Sequence, residues 1–131
     1  VIYLDANVVI RLVEGDAATR TPLIARLAAS LGVSGSLVTS RLTRLECRTK
    51  PLRAGDAATL AAFDVFFAGA ELILVEVSAA VIERATDLRA KYNLKTPDAL
   101  HYATSIEAGA AVFLTGDRAL SRCVEVPVEV L

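Results

Sequence analysis

No apolar stretch in this chain of 131 residues reaches the roughly 18 that a membrane-spanning helix needs, so no membrane segment is expected. The first residues pass straight into a strand-like run with no basic leader and no cleavage site. That reads as the absence of a targeting segment, and a cytoplasmic location is expected. There are only two cysteines, Cys47 and Cys123, and a single histidine. The cysteines lack metal-ligand spacing and read as small reduced hydrophobes, and no histidine pair is present to build a zinc site. Neither sign of charge dominates, with 14 Lys and Arg against 15 Asp and Glu. This argues against a simple basic nucleic-acid-binding module. If four acids were sequestered with a cation, the remainder would be mildly basic, which permits a polyanionic substrate. Repeats, low-complexity tracts and linkers are lacking too, so residues 1–131 read as one domain. A chain of this size can bury a core without disulfides or a structural metal. Aromatics supply only 5% of the residues, and the hydrophobic 54% rests mainly on Ala, Val, Leu and Ile. That content excludes a disordered chain and favours a sheet buried on both faces, whose strands are solid aliphatic runs.

The patterning alternates strand and helix. Strands are expected at residues 1–4, 36–39, 72–77, 111–114 and 126–130. Helices are expected at 6–14, 17–31, 41 to about 49, 54–68, 79 to about 92, 97–108 and, as a short piece, 117–122. Pro51 should end the helix before it, and Gly69 should close the helix at 54–68. Ser78 should cap the helix that follows it, with Asn93 terminating. Thr96 should cap the next helix, with Pro97 at its first position and Gly109 as the stop. Strands joined through helices require crossover connections, so the fold class is α/β, a three-layer sandwich on a parallel sheet. In such sheets functional residues gather beyond the carboxyl ends of the strands.

Three aspartates stand at such places. Asp5 follows the first strand, Asp98 lies in the first turn of the helix after Thr96, and Asp117 follows the fourth strand through Thr115 and Gly116. Each also reads as a helix cap or as an acid stabilised by a helix dipole. Glu46 differs. Leu42, Leu45, Glu46 and Thr49 fall on one helical face, so Glu46 is expected to turn inward with its apolar neighbours. A carboxylate there needs an ion pair or a metal. An all-carboxylate set suits Mg²⁺ or Mn²⁺ rather than Zn²⁺, and such a site activates water and clamps phosphate oxygens. Arg41, Arg44, Arg48, Lys50 and Arg53 form the densest basic stretch. It reads either as a phosphate-holding strip or as a solvated helix face. Lys95 has the same two readings. His101 reads as a packed or hydrogen-bonded histidine ahead of a catalytic one, and Phe63, Phe66 and Phe67 read as core.

The run Tyr3-Leu4-Asp5-Ala6-Asn7-Val8-Val9-Ile10 resembles the opening motif of PIN-domain nucleases. Thr39-Ser40 through Leu45-Glu46-Cys47 resembles their second motif. Leu94-Lys95-Thr96-Pro97-Asp98-Ala99-Leu100-His101 resembles the third, and Leu114-Thr115-Gly116-Asp117 the fourth. The order and intervals match over essentially the whole chain, and the size and third motif look most like VapC toxins of bacterial toxin–antitoxin pairs. The resemblance implies a five-stranded parallel sheet in the order 3-2-1-4-5. It implies Asp5, Glu46 and Asp98 as core acids, with Asp117 as the least uniform member. Asn7 and Thr115 are implied as supports that orient Asp5 and Asp117. The implied activity is Mg²⁺- or Mn²⁺-dependent endoribonuclease action on an RNA phosphodiester. Implied partners are the RNA substrate, a cognate antitoxin protein and a second copy in a homodimer. Whether one metal or two act stays open, as does the RNA cleaved.

Other classes fit less well. An aspartyl phosphatase usually needs a second acid two residues after the first, and that position is Asn7. A phospho-accepting receiver domain needs an aspartate at a central strand end, where Ser78 follows the third strand. A non-catalytic PIN-like scaffold that binds RNA or protein is the remaining alternative, and the presence of all four acids argues against it.

Overall fold

In the computed structural model the described residues are 1–32 and 35–131. The elements run β1 (Ile2–Leu4), α1 (Ala6–Glu14), α2 (Ala17–Leu31), β2 (Leu37–Ser40), α3 (Arg41–Ala54), α4 (Ala57–Phe67), β3 (Leu72–Val75), α5 (Ala79–Tyr92), α6 (Thr96–Glu107), β4 (Val112–Thr115), a single 3-10 turn (Arg118–Leu120) and β5 (Val128–Val130). All strand pairings are parallel, in the order β3-β2-β1-β4-β5. The chain order reverses at the centre, where β1 lies between β2 and β4 and pairs Tyr3 with Val38 and with Phe113.

Successive side chains of a strand point to opposite faces, and here both faces are covered. Tyr3, Val38 and Phe113 pack under α5 and α6 with Val81, Leu88, Ala99 and Tyr102. Ile2, Leu4, Leu37 and Leu114 pack on the other side with Val8, Val9, Leu23, Cys47, Phe63 and Phe67. The central strands β1 and β4 are nearly solid apolar runs because neither of their faces meets water, whereas Ile73 on the edge strand β3 is half exposed. The result is a three-layer α/β/α sandwich with two apolar cores. Cys47 and Cys123 are both buried free thiols, and burial pushes the Cys47 thiol up to about 12, so it has no thiolate character at neutral pH.

Local chemistry explains most helix starts. Asp5, Asp16, Ser40, Asp56 and Ser78 each accept a backbone N–H of the helix that follows, satisfying donors that the helix itself leaves unpaired. Asn93 ends α5 in the left-handed region at φ 54°, a conformation asparagine tolerates.

Three expectations are corrected. α3 does not stop before Pro51 but runs through it to Ala54, and Gly55 at φ 67° provides the left-handed cap. Pro51 costs one backbone hydrogen bond near the end of the helix, and its ring is buried, so packing offsets the loss. α4 consequently begins at Ala57, not 54, with Asp56 as its cap. Thr96 is the first residue of α6 rather than its cap. Lys95 holds the cap position without a side-chain hydrogen bond, and the fixed φ of Pro97 serves the first turn. Strand ends also shift by one or two residues, the usual uncertainty of element boundaries.

Candidate active site

Asp5 leaves the carboxyl end of the central strand and is 8% exposed. Its two oxygens are separately held. Oδ1 accepts the Ala6 N–H at 2.8 Å. Oδ2 accepts the Thr115 hydroxyl at 2.8 Å and the Asn7 amide at 3.3 Å. Asn7 in turn accepts the Gly116 N–H on its Oδ1 at 2.7 Å, and the Asp117 N–H donates to the Thr115 hydroxyl at 3.0 Å. Asn7 and Thr115 therefore tie the end of β1 to the Thr115-Gly116-Asp117 turn after β4. The parallel register that sets Leu4 beside Leu114 brings these groups together. Gly116 has its own reason. A Cβ there would meet the Arg11 guanidinium at 2.5 Å, which places that cation directly over the turn.

Asp98 is in the first turn of α6, and with Asp117 it lines a cavity of about 350 Å³ together with Asn93, Leu94, Lys95, Ala119 and Arg122. Burial first, and then the negative charges of Asp5 and Asp117, push the Asp98 carboxyl up from its ordinary value, against smaller opposing effects of His101 and Lys95. Asp117 also does a structural task, accepting the Ala119 N–H at 3.0 Å at the start of the 3-10 turn.

Glu46 reaches the same region by a different route from the one its helical face suggested. The buried stripe of α3 is Thr43, Cys47 and Pro51, and Leu45 is 62% exposed. The inward-turning face of Leu42, Leu45, Glu46 and Thr49 is thus overturned. Thr43 is buried because its hydroxyl pairs with Thr39 at 2.7 Å, so a polar residue takes the place a hydrophobicity argument assigns to leucine. Glu46 lies on the flank of that stripe with a third of its side chain exposed. Its Oε1 meets His101 Nε2 at 2.5 Å, and the same nitrogen is 3.9 Å from Asp5 Oδ1. The two carboxylate oxygens are therefore no farther apart than the sum of those distances.

The basic stretch on α3 is mostly committed elsewhere. Arg41 pairs with Glu76, and Arg44 and Arg48 share Asp64 of α4. Arg44 also lies over the Phe67 ring. Arg44 and Arg48 thus face α4, and Arg41 faces the segment after β3, so these three cations are paired rather than forming an open phosphate strip. The signal for this was Asp64, whose nearness to α3 depends on the α3–α4 turn. Phe63 and Phe67 are in the core. Residues the sequence reading left aside are Tyr3 and Arg11. Tyr3 is fully buried and its hydroxyl meets His101 Nδ1 at 2.7 Å. Arg11 lies one helical turn after Asn7 on the same face of α1, a spacing that could have marked it.

Among the described residues, no three His, Cys, Asp or Glu side chains are gathered closely enough to form a ready-made metal cage. Mutual repulsion of the carboxylates is consistent with that spacing. The donor set still fits a hard divalent cation. All its donors are carboxylate oxygens, and burial, followed by the charges of Asp5 and Asp117, makes an uncompensated Asp98 carboxylate costly in the absence of a cation.

Comparison with known proteins agrees with the architecture. Among solved structures, the chain resembles VapBC2 from Rickettsia felis bound to a promoter DNA fragment, with TM-score 0.79 and 16% identity over 98% of both chains. It also resembles VapC20 of Mycobacterium tuberculosis, a sarcin–ricin loop cleaving toxin, with TM-score 0.71 and 20% identity over 97% of this chain and 99% of that one. FitAcB from Neisseria gonorrhoeae gives TM-score 0.75 and 14% identity over 98% and 96%. At these identities the likeness is one of fold. No curated protein sequence matches the chain. The PIN domain family matches residues 2–125, nearly the full length, and the chain belongs to that family.

Proposed function

We propose that this PIN domain is a Mg²⁺- or Mn²⁺-dependent endoribonuclease and the toxin of a toxin–antitoxin pair, working through Asp5, Glu46, Asp98 and Asp117. One observation carries the reading. Acids from separate elements meet in one region: Asp98 and Asp117 line the same cavity, while Glu46 and Asp5 approach the same histidine nitrogen. A purely structural cap has no need of acidic neighbours.

A bound divalent cation supplies Lewis acidity toward water and phosphate oxygens. The chain's own part is positioning. Asp5 and Asp98 would hold the cation most directly, and Thr115, Asn7 and the Ala6 N–H keep Asp5 in one orientation. Glu46 would orient or deprotonate the attacking water. Asp117 completes the acidic wall of the cavity, where Lys95 offers a cation to a phosphate. The partner half of the proposal is supported by likeness to VapBC2 and to a toxin–antitoxin complex from Klebsiella pneumoniae. The proposed partners are an RNA substrate, a cognate antitoxin and a second copy of the chain, in the cytoplasm. Among the described residues no helix is long and apolar enough to cross a membrane.

The test is cleavage of RNA by the purified chain with Mg²⁺ or Mn²⁺, with EDTA, and by Asp5→Asn. Cleavage that needs the cation and is lost in Asp5→Asn is expected. Cleavage that survives EDTA, or that Asp5→Asn retains, overturns the mechanism.

A further inference from the structure

The single histidine of the chain is 2% exposed and bridges three elements. It stands on α6, one turn after Asp98. Its Nδ1 meets the Tyr3 hydroxyl of β1 at 2.7 Å, and its Nε2 meets Glu46 Oε1 of α3 at 2.5 Å. The tyrosine end is enclosed. Tyr3 is fully buried, its ring stacks on Phe113 at 5.0 Å, and its hydroxyl lies among the Thr39 and Thr43 side chains. The glutamate end is not confined by packing, because a third of that side chain is exposed and a long exposed side chain samples several rotamers.

With Glu46 as a carboxylate, which only accepts, and a neutral imidazole, Nε2 donates in this contact and Nδ1 accepts from the Tyr3 hydroxyl. In that tautomer the chain of bonds runs from Tyr3 O–H to His101 Nδ1 and from His101 Nε2–H to Glu46 Oε1. A histidine serving the core alone would direct both nitrogens at buried partners. This one directs its second nitrogen at an exposed acid beside Asp5.

We propose that His101, anchored by Tyr3, is a positioning residue that holds Oε1 of Glu46 and leaves Oε2 as the acceptor offered to the cation and water of the acidic site. The inference rests on the proposed function, since it gives Glu46 a task there. Fixing one oxygen removes the rotamer freedom that a partly exposed glutamate would otherwise lose on binding a cation. Partners of this kind typically change metal affinity by about 10–100-fold. The arrangement also couples β1 to α3 and α6, so the elements carrying Asp5, Glu46 and Asp98 are joined by one hydrogen-bonded line.

The experiment measures Mn²⁺ affinity of the full chain by calorimetry or EPR, beside thermal melts. The variants are Tyr3→Phe, His101→Leu, His101→Gln and, as control, Asp5→Asn. Tyr3→Phe and His101→Leu should weaken Mn²⁺ binding by roughly tenfold or more in protein that melts cooperatively. His101→Gln, which keeps an N–H near the Nε2 position, should recover most of the affinity. With only one imidazole in the chain, its nitrogen NMR shifts are unambiguous, and they should report protonated Nε2 and unprotonated Nδ1. If His101→Leu does not fold, Tyr3→Phe decides, because it removes one oxygen only. Mn²⁺ binding lost in Asp5→Asn but unchanged in folded Tyr3→Phe overturns this inference and leaves the proposed function standing, as does an Nδ1–H imidazole. A wild-type chain that binds no Mn²⁺ overturns both.

Discussion

At Asp98 two effects oppose each other. The first turn of α6 favours a negative charge through the helix dipole. Burial and the nearby Asp5 and Asp117 disfavour it, and they win, because the carboxyl is raised from its ordinary value. An acid whose folded-state pKa is raised holds its proton to higher pH in the folded than in the unfolded chain. Stability therefore falls as pH rises from the ordinary aspartate range through the raised value. Asp98→Asn should melt higher than the wild type at neutral pH without divalent cation, and the difference should vanish in acid, where both side chains are neutral. Thermal melts in EDTA across that pH range check the sign. The same variant should lose most RNA cleavage. A lower melting temperature at neutral pH would show that the dipole, not the crowding, governs this carboxylate.

The α3–α4 pair shows how an element's register decides which of its residues can act. Gly55 ends α3 at φ 67°, and an added Cβ would meet nothing within 4 Å. Its requirement is purely one of backbone conformation. Gly55→Ala should therefore cost about 1–2 kcal/mol, seen as a lower urea midpoint with unchanged slope, while cleavage in buffer persists. A neutral effect would mean that the turn relaxes to a right-handed conformation. That turn sets α4 against α3 so that Asp64 lies beside Arg44 and Arg48, each half-exposed pair worth little by itself. It also leaves the stripe of Thr43, Cys47 and Pro51 facing inward, with Glu46 on its edge. Glu46 reaches His101 from the flank of a helix whose register was set by other contacts.

For the whole molecule, an acidic site at the reversal of strand order is exposed to any strong cation, including one from another protein. In the proposed reading the antitoxin silences the chain by inserting a basic side chain among Asp5, Glu46, Asp98 and Asp117. Arginine is the best fitted because its fork can pair two carboxylates at once. Partner and Mn²⁺ should then weaken each other's binding, and replacing the inserted arginine by alanine should abolish that antagonism while leaving apolar contacts in place. A titration of partner binding with and without Mn²⁺ measures it. Equal affinity in both conditions would show inhibition from outside the site.

The order of strands and helices, the parallel α/β class and the positions of Asp5, Asp98 and Asp117 at strand ends or in a helical first turn were legible in the residues. These features are local: aliphatic runs, caps and intervals carry them, and family motifs added the 3-2-1-4-5 strand order that the parallel pairing displays. The inward face of α3 was not legible. It depends on a hydroxyl pair between Thr43 and Thr39, and burial ranked by hydrophobicity cannot anticipate a polar residue satisfied inside. The fate of Arg44 and Arg48 depended on an acid on another helix, and the course of α3 through Pro51 depended on packing that offsets a lost hydrogen bond. His101 was readable as a hydrogen-bonded histidine, but its partners lie 98 and 55 residues away in the chain. Sequence determined which groups this protein has to work with. Tertiary structure alone decided which of them meet, because hydrogen bonds and ion pairs act over a few ångströms whatever their separation along the chain.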